Sequence, residues 1–503
     1  MNMQNTYKNR LTRHARLATS LITLLILAGI LTGLDLPKLG STPAAASALT
    51  ARSISDVTLQ PNIYLPILHK KNFYHQAFGV EASSSFYPGN FLTNYAIGMH
   101  TNYVRLNERI SWRELQPNEN DPIDWEQLVN FETELRTLRA VNIIPIIIVD
   151  DYPYWATIYQ TNCSALLPER YDDFAIFTQA LVSRYSTPEF NVHIWELGNE
   201  PDVDPRIFSL TDNFYGCWGD WDDIFYNGRA YGNMLKVVTP LIRAADPHAQ
   251  VLIGGLLLAS PNTIDDHVGQ PEDFLRGILE AGAAPYFDVV SYHSYVAHTS
   301  LREDRDIFSN SVWDAWGGML RGKANFLRSI MADYGVDKPL FLTETSQLCS
   351  WCQYDLTLLP ELYDFQANLP PRSFPRAIAN GITGFIWYTL DGPGWYYGGL
   401  LDENQVPKPV YYAYQTLSEM VGHAGFIGPA SYGDGIEAYT FHSGAARIDI
   451  IFSIQDITYP ILISKLNYLA AYDRFGNLIT PTSVGSDYQL NIQYEPIYLV
   501  RSP

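Results

Sequence analysis

Positive charge, cysteine and long apolar runs are all scarce in this chain, and each shortage removes a class of function. Lys and Arg number 33 against 53 Asp and Glu, a formal net charge of -20. Such a surface repels phosphate backbones and anionic headgroups, which excludes nucleic acid as a partner and leaves the membrane only an N-terminal anchor to hold it by. The four cysteines, Cys163, Cys217, Cys349 and Cys352, form one C-x-x-C and two distant singles, which is not the paired C-x-x-C spacing of a structural zinc site. Their even count suits two disulfides in an oxidising compartment, and no metal site is indicated. No Gly-rich phosphate turn follows the first apolar strand, which argues against a doubly wound nucleotide-binding sheet. Internal repeats are absent, and the only low-complexity tract is a short Ala-rich linker.

What is there begins with an export signal. Lys8, Arg10, Arg13 and Arg16 precede the uncharged run Leu17 to Leu34, and a small-residue stretch from Pro43 to Ala48 offers a cleavage site at Ala46, Ser47 and Ala48. The run is also just long enough to span a bilayer with its basic flank inside, so residues 1–48 read as a signal peptide or a signal anchor. A linker and extension fill 49–74. The chain as a whole, 503 residues with 47% hydrophobic content, can bury a large core. Aromatic residues make up 14%, with 34 Tyr and 11 Trp, a composition that suits either stacking on flat sugar faces or a Tyr-rich extracellular core.

From residue 75 to 423, short apolar runs alternate with helical periodicity. The predicted strands are Ala77–Glu81, Tyr103–Asn107, Ile143–Val149, His193–Leu197, Val251–Gly254, Asp288–His293, Leu340–Thr343 and Gly384–Tyr388. Between them, Asp124 would cap a helix with Leu128, Phe131, Leu135 and Leu138 on one face, and Phe174, Phe177 and Leu181 share a face of the next. Eight strands with intervening helices predict an α/β fold, a (β/α)8 TIM barrel with enlarged loops. From 424 to 503 the pattern turns to short alternating strands, including Ile436–Phe441, Arg447–Phe452 and Ile497–Val500, with a turn at Arg474–Asn477. This predicts a small C-terminal β-sandwich packed on the barrel.

A barrel builds its active site at the C-terminal ends of the strands. Two predicted strands run into glutamate there: the fourth through Gly198 and Asn199 to Glu200 and Pro201, the seventh through Thr343 to Glu344. Paired carboxyls about 5–5.5 Å apart are what a retaining glycosidase needs, one as nucleophile and one as acid and then base. Arg105, inside an apolar strand, would bury a guanidinium that demands a carboxylate partner.

With Asn199, Glu200 and Pro201 ending the fourth strand and Glu344 ending the seventh, the barrel resembles the clan A glycoside hydrolases, and within them families 39 and 5. The resemblance implies double displacement with retention, Glu200 as acid/base and Glu344 as nucleophile. It implies further that Arg105 orients the nucleophile, that Asn199 bonds the sugar 2-hydroxyl, and that His293 and Tyr295 line the site. Trp387 would floor the sugar subsite by stacking on pyranose C–H groups, with Trp155 and Trp395 as weaker candidates of the same kind. In this frame all four cysteines fall in loops on the catalytic face. Adjacent loops 3 and 4 would join Cys163 to Cys217, leaving Cys349 and Cys352 as a local pair. The long loop Asp202–Tyr226, carrying Trp218 and Trp221, would form a cleft wall. The expected function is an exported retaining β-glycosidase acting on a poly- or oligosaccharide substrate without cofactor. A non-catalytic carbohydrate-binding barrel and a transglycosidase of the same mechanism are the alternatives.

Overall fold

The structure, a computed structural model, describes residues 78–207, 215–258, 268–298, 304 and 312–503. The export segment and linker read from 1–74, and part of the loop Asp202–Tyr226, lie outside the described residues. Among the described residues, no helix is long and apolar enough to cross a membrane.

Eight parallel strands form the barrel: β1 Phe78–Ala82, β2 Tyr103–Ser111, β3 Ile144–Asp150, β4 Ile194–Asn199, β5 Gln250–Gly255, β6 Val290–Ala297, β7 Leu340–Leu348 and β8 Ile382–Trp387. The ladder runs β5-β4-β3-β2-β1-β8-β7-β6, and parallel bridges Leu252–Val289 and Leu256–Tyr292 close it between β5 and β6. Each predicted strand is present. The main departures lie at C-terminal ends, where β2, β6 and β7 run four to five residues further than their apolar cores. Polar residues such as Ser294, Thr345 and Gln347 read as loop in sequence, yet β6 and β7 pair with each other through His293–Glu344 to Ala297–Leu348. The backbone ladder, not side-chain polarity, sets the end of those strands.

Strand alternation divides the side chains into two layers. Tyr103, Ile146, Ile194, Leu252, Val289, Phe341 and Ile386 pack together as one apolar cluster. The opposite parity faces the helices, where residues such as Phe78, Val104, Ile147, Trp195, Phe385 and Trp387 join the main core. The helix Val129–Ala140 is entered through the 3-10 turn Trp125–Leu128, whose Asp124 accepts from the Glu126 N–H. The helix Tyr171–Tyr185 buries Phe174, Phe177 and Leu181, as the periodicity indicates, and carries Asp172 and Asp173 in its first turn and Arg184 in its last, complementing the helix dipole.

The C-terminal β-sandwich is built from β9 Gly425–Ala430, β10 Ile436–Ser443, β11 Ala446–Ser453, β12 Tyr459–Ser464, β13 Tyr468–Tyr472, β14 Thr482–Val484, β15 Asp487–Ile492 and β16 Ile497–Arg501, in a five-stranded sheet, β13-β16-β11-β10-β9, and a three-stranded sheet, β12-β15-β14. It is tied to the barrel by the helix Leu369–Ala379. Arg372, fully buried, stacks 4.2 Å from Phe452 and 4.1 Å from Tyr494 and donates to the Tyr494 carbonyl. Arg376 makes a two-pronged pair with Glu437 at 2.6 and 2.7 Å.

Both disulfides form as the barrel frame implies, Cys163 with Cys217 and Cys349 with Cys352, which takes all four thiols away from any metal. They differ in the loop they close, 54 residues apart against three. By chain entropy the first is worth about 4 kcal/mol and the second about 2 kcal/mol. The double variant Cys163→Ser, Cys217→Ser should therefore lose roughly twice the unfolding free energy of Cys349→Ser, Cys352→Ser in denaturant titrations. Equal losses would mean that the short disulfide supports more of the fold than its loop explains.

Candidate active site

Two residues beyond the apolar layer, towards the C-terminal ends of β1, β2, β4 and β8, the barrel interior turns from apolar to charged or polar. Gly79 gives way to Glu81, Tyr103 to Arg105, Ile194 to Glu196, and Ile386 to Tyr388. At the centre lies Arg105, with no exposed surface. Its Nε donates to Glu196 Oε2 at 2.6 Å, one terminal nitrogen to Glu81 Oε2 at 2.7 Å and Glu344 Oε1 at 2.5 Å, and the other to Asn199 Oδ1 at 2.7 Å. Five donors on a planar fork let one side chain hold groups from β1, β4 and β7 at once. Burial disfavours the guanidinium charge, but Glu196, Glu81 and Glu344 outweigh it and raise the arginine further above its ordinary pKa.

One cation facing three carboxylates leaves the cluster short of positive charge. Burial pushes Glu81 up to about 8, with Glu344 adding to the rise and Arg105 opposing it. Burial likewise raises Glu196 against the pull of Arg105. Sequence inspection passed over both. The available signal was strand parity: each is a carboxylate on the inward face of an apolar strand, a position that only a buried cation makes tolerable.

Glu200 and Glu344 are brought together. An oxygen of each, with a ring nitrogen of His293, falls in a set whose atoms all lie within 4.8 Å of one another. Glu200 follows β4 with φ +50, after Gly198 at φ +90. The second left-handed position, costly for a residue with a Cβ, is fastened by Glu200 N–H to the Gly255 carbonyl and Gly216 N–H to the Asn199 carbonyl. Gly255 is needed for another reason, since a Cβ there would sit 2.1 Å from His293 Nε2. Burial pushes Glu200 up to about 7, against the opposing fields of Arg105 and Arg109.

His293 lies between the two glutamates, Nδ1 at 2.6 Å from Glu200 Oε1 and Nε2 at 3.4 Å from Glu344 Oε1. Burial lowers it to about 3, against the pull of Glu344, so the ring is neutral near neutral pH. A neutral ring with Nε2–H facing Glu344 presents Nδ1 as acceptor for the proton of Glu200. Tyr295 donates to Glu344 Oε2, so both oxygens of Glu344 accept, one from a guanidinium and one from a phenol. The same triad has metal-ligand spacing, but the Glu344 oxygen concerned is already in contact with Arg105, whose charge competes directly with a cation. The donor set fits a hydrogen-bonded carboxyl pair better than an ion.

The remaining candidates divide. Asn199 turns Oδ1 to Arg105, which directs its amide nitrogen elsewhere, and its backbone N–H donates to Asp150 at 3.1 Å. Asp150 is itself pushed up to about 6 by burial, opposed by Arg109. Trp395 stays at the mouth, 46% exposed and edge-on to Tyr295 at 5.3 Å. Trp387 does not reach the cleft. It shares the outward parity of Phe385, is fully buried against Tyr414, and donates to the Gly398 carbonyl. Its neighbour Tyr388 takes the inward position instead, half-buried and edge-on to Tyr295 at 5.9 Å. Trp155 packs edge-on to Trp112 with Arg170 over its ring, in the layer behind the loop after β3. In the long loop after β4, Trp218 is core, donating to Tyr152 at 3.2 Å, and Trp221 lies under Arg206.

No protein-family model matches the chain, and no curated protein matches it in sequence. Solved structures do share the architecture. A family 39 glycoside hydrolase from Bacteroides cellulosilyticus is similar with a TM-score of 0.59 and 18% identity, over 84% of this chain and 80% of that one. A family 30 endoxylanase from Clostridium papyrosolvens gives 0.56 and 11%, over 86% and 98%, and a monomeric β-xylosidase from Caulobacter crescentus gives 0.54 and 16%, over 86% and 96%. At these identities the likeness establishes the fold, a TIM barrel with a C-terminal β-sandwich, shared with clan A glycoside hydrolases.

Arg105→Met should be among the most damaging single changes in the barrel, because it strands three buried carboxylates. Removing one partner of a buried ion pair costs about 3–5 kcal/mol. A loss under about 1 kcal/mol in denaturant titration would mean that the carboxylates do not depend on this guanidinium.

Proposed function

We propose that the protein is a retaining β-glycosidase of clan A type, acting outside the cytoplasm on a neutral poly- or oligosaccharide. The observation that carries this reading is the carboxyl pair: oxygens of Glu200 and Glu344 within 4.8 Å of each other, close to the separation used for retention and well under the 6.5–9.5 Å that inversion needs for an intervening water.

The residues divide the reaction as follows. Glu344, accepting from Arg105 and Tyr295, attacks the anomeric carbon and forms a glycosyl ester as the bond to the leaving oxygen breaks. Glu200 gives its proton to that oxygen. Then, as carboxylate, it takes a proton from water as the water attacks the same carbon and frees Glu344. Retention follows from two displacements on opposite faces. A carboxyl pushed up to about 7 still carries its proton near neutral pH, which the first step requires. Arg105 keeps Glu344 aimed, and Asn199, held by Arg105, bonds the sugar 2-hydroxyl. Two disulfides support an oxidising compartment, in line with the export signal of the sequence. No cofactor enters any step.

Incubation with activated 2-fluoro β-glycosides should leave a sugar ester on Glu344, seen by peptide mass; absence of turnover and of adduct across a panel of neutral sugars would overturn the assignment. Glu200→Ala should slow substrates with poor leaving groups by about 10²–10⁴ and good ones far less, with azide restoring the latter. Equal losses would move the acid/base role elsewhere.

Because the first step consumes a proton held by a group whose pKa is raised to about 7, kcat/KM should be level below that pH and fall about tenfold per unit above it. A profile still level at pH 9 would remove Glu200 from the acid role.

A further inference from the structure

Apart from the catalytic centre, the loop after β7 holds an aromatic ring in the open by an arrangement that packing does not explain. Residues 349–352 are a four-residue turn, Cys-Ser-Trp-Cys, closed by its own disulfide. The two cysteines are fully buried beside Leu362, while Trp351 at the tip is 39% exposed and Tyr354 beyond it 75%. A disulfide across so short a loop contributes about half the chain entropy of the longer one and also fixes the shape of the turn.

The exposed ring is continuous with the catalytic cleft. Trp351 stacks on His298, ring centroids 6.0 Å apart and planes 27° from parallel. His298 follows the last residue of β6 and is three residues beyond Tyr295, about 10 Å further along the strand direction. Its N–H donates to the Leu348 carbonyl at 2.8 Å and its ring meets Phe365 edge-on at 4.9 Å, so Trp351 rests on a fixed base. On the other side, Cys349 N–H donates to the Tyr396 carbonyl, and Tyr396 packs 4.9 Å from Trp395, the ring that meets Tyr295 at the mouth.

We propose that Trp351, with Trp395, is a sugar-binding platform that takes a neutral glycan chain beyond the ring held between Glu200 and Glu344. This rests on the glycosidase reading. A flat indole immobilised before binding stacks on a pyranose face without losing rotamer entropy in the complex. The charges nearby favour a neutral chain. His298 is lowered by burial and so uncharged, and the acids Glu361 and Asp355 on the adjoining segment repel a uronate. The occupant is the continuation of the substrate itself, because the platform joins the cleft through Trp395 and Tyr295.

The test compares the full chain with Trp351→Ala and Trp351→Phe. On an aryl β-glycoside of a single sugar, all three should agree within about twofold. On the soluble polymer of the same sugar, kcat/KM of Trp351→Ala should fall about tenfold, the equivalent of one good stacking contact, with Trp351→Phe recovering most of it. Equal falls on both substrates, or no fall on the polymer, would overturn the platform. A binding arm is independent of turnover: in native gels containing xylan, glucan or mannan, the parent should be retarded by at least one polymer and Trp351→Ala should not. Retardation by none would also overturn it. If Trp351→Ala alone loses retardation while the parent turns over no glycoside and forms no adduct, the platform stands as a binding site and the glycosidase reading falls.

Discussion

Everything at the catalytic end of this barrel depends on one buried guanidinium. Arg105 joins Glu81 on β1, Glu196 and Asn199 on β4 and Glu344 on β7, so four acceptors from three non-adjacent strands are held by one planar group. A carboxylate carried alone into that interior would be too costly to keep charged. With the guanidinium present, the cost is shared, and the cluster becomes a fixed charge lattice beside which Glu200 and Glu344 are held.

Glu200 and Glu344 sit in different surroundings. Glu344 accepts on both oxygens from Arg105 and Tyr295, whereas burial pushes Glu200 up to about 7 and its Oε1 meets the neutral His293 at 2.6 Å. Two chemically identical side chains thus differ in their partners, one facing donors and the other an imidazole, which is the asymmetry that the proposed nucleophile and acid roles require. His293 in turn fits only because β5 offers Gly255 where any side chain would collide with its ring. A glycine on one strand, a histidine on the next and a left-handed glutamate on the preceding one form a single steric unit.

The rim follows a different rule from the floor. Below, parity and charge pairing decide each residue. Above, disulfides and aromatic contacts fix loops that no ladder supports: Cys163–Cys217 ties the loops after β3 and β4, and Cys349–Cys352 shapes the turn after β7. The sandwich is clamped to the barrel by Arg372 and Arg376 of the helix Leu369–Ala379.

Sequence alone determined the architecture and pointed to the two glutamates that the barrel brings together. Eight apolar runs with amphipathic helices between them leave few folds open, and a glutamate that ends an apolar strand of a barrel must lie at its catalytic end. Arg105 was legible too, since a guanidinium within an apolar strand needs partners. Tertiary structure decided what depends on facing. Trp387 and Tyr388 are adjacent, and only the register of β8 sends the first to the helix layer and the second to the site. Glu81 and Glu196 looked like ordinary strand residues because their partner is far away in sequence, and the rotation that aims them at Arg105 arises only when the barrel closes.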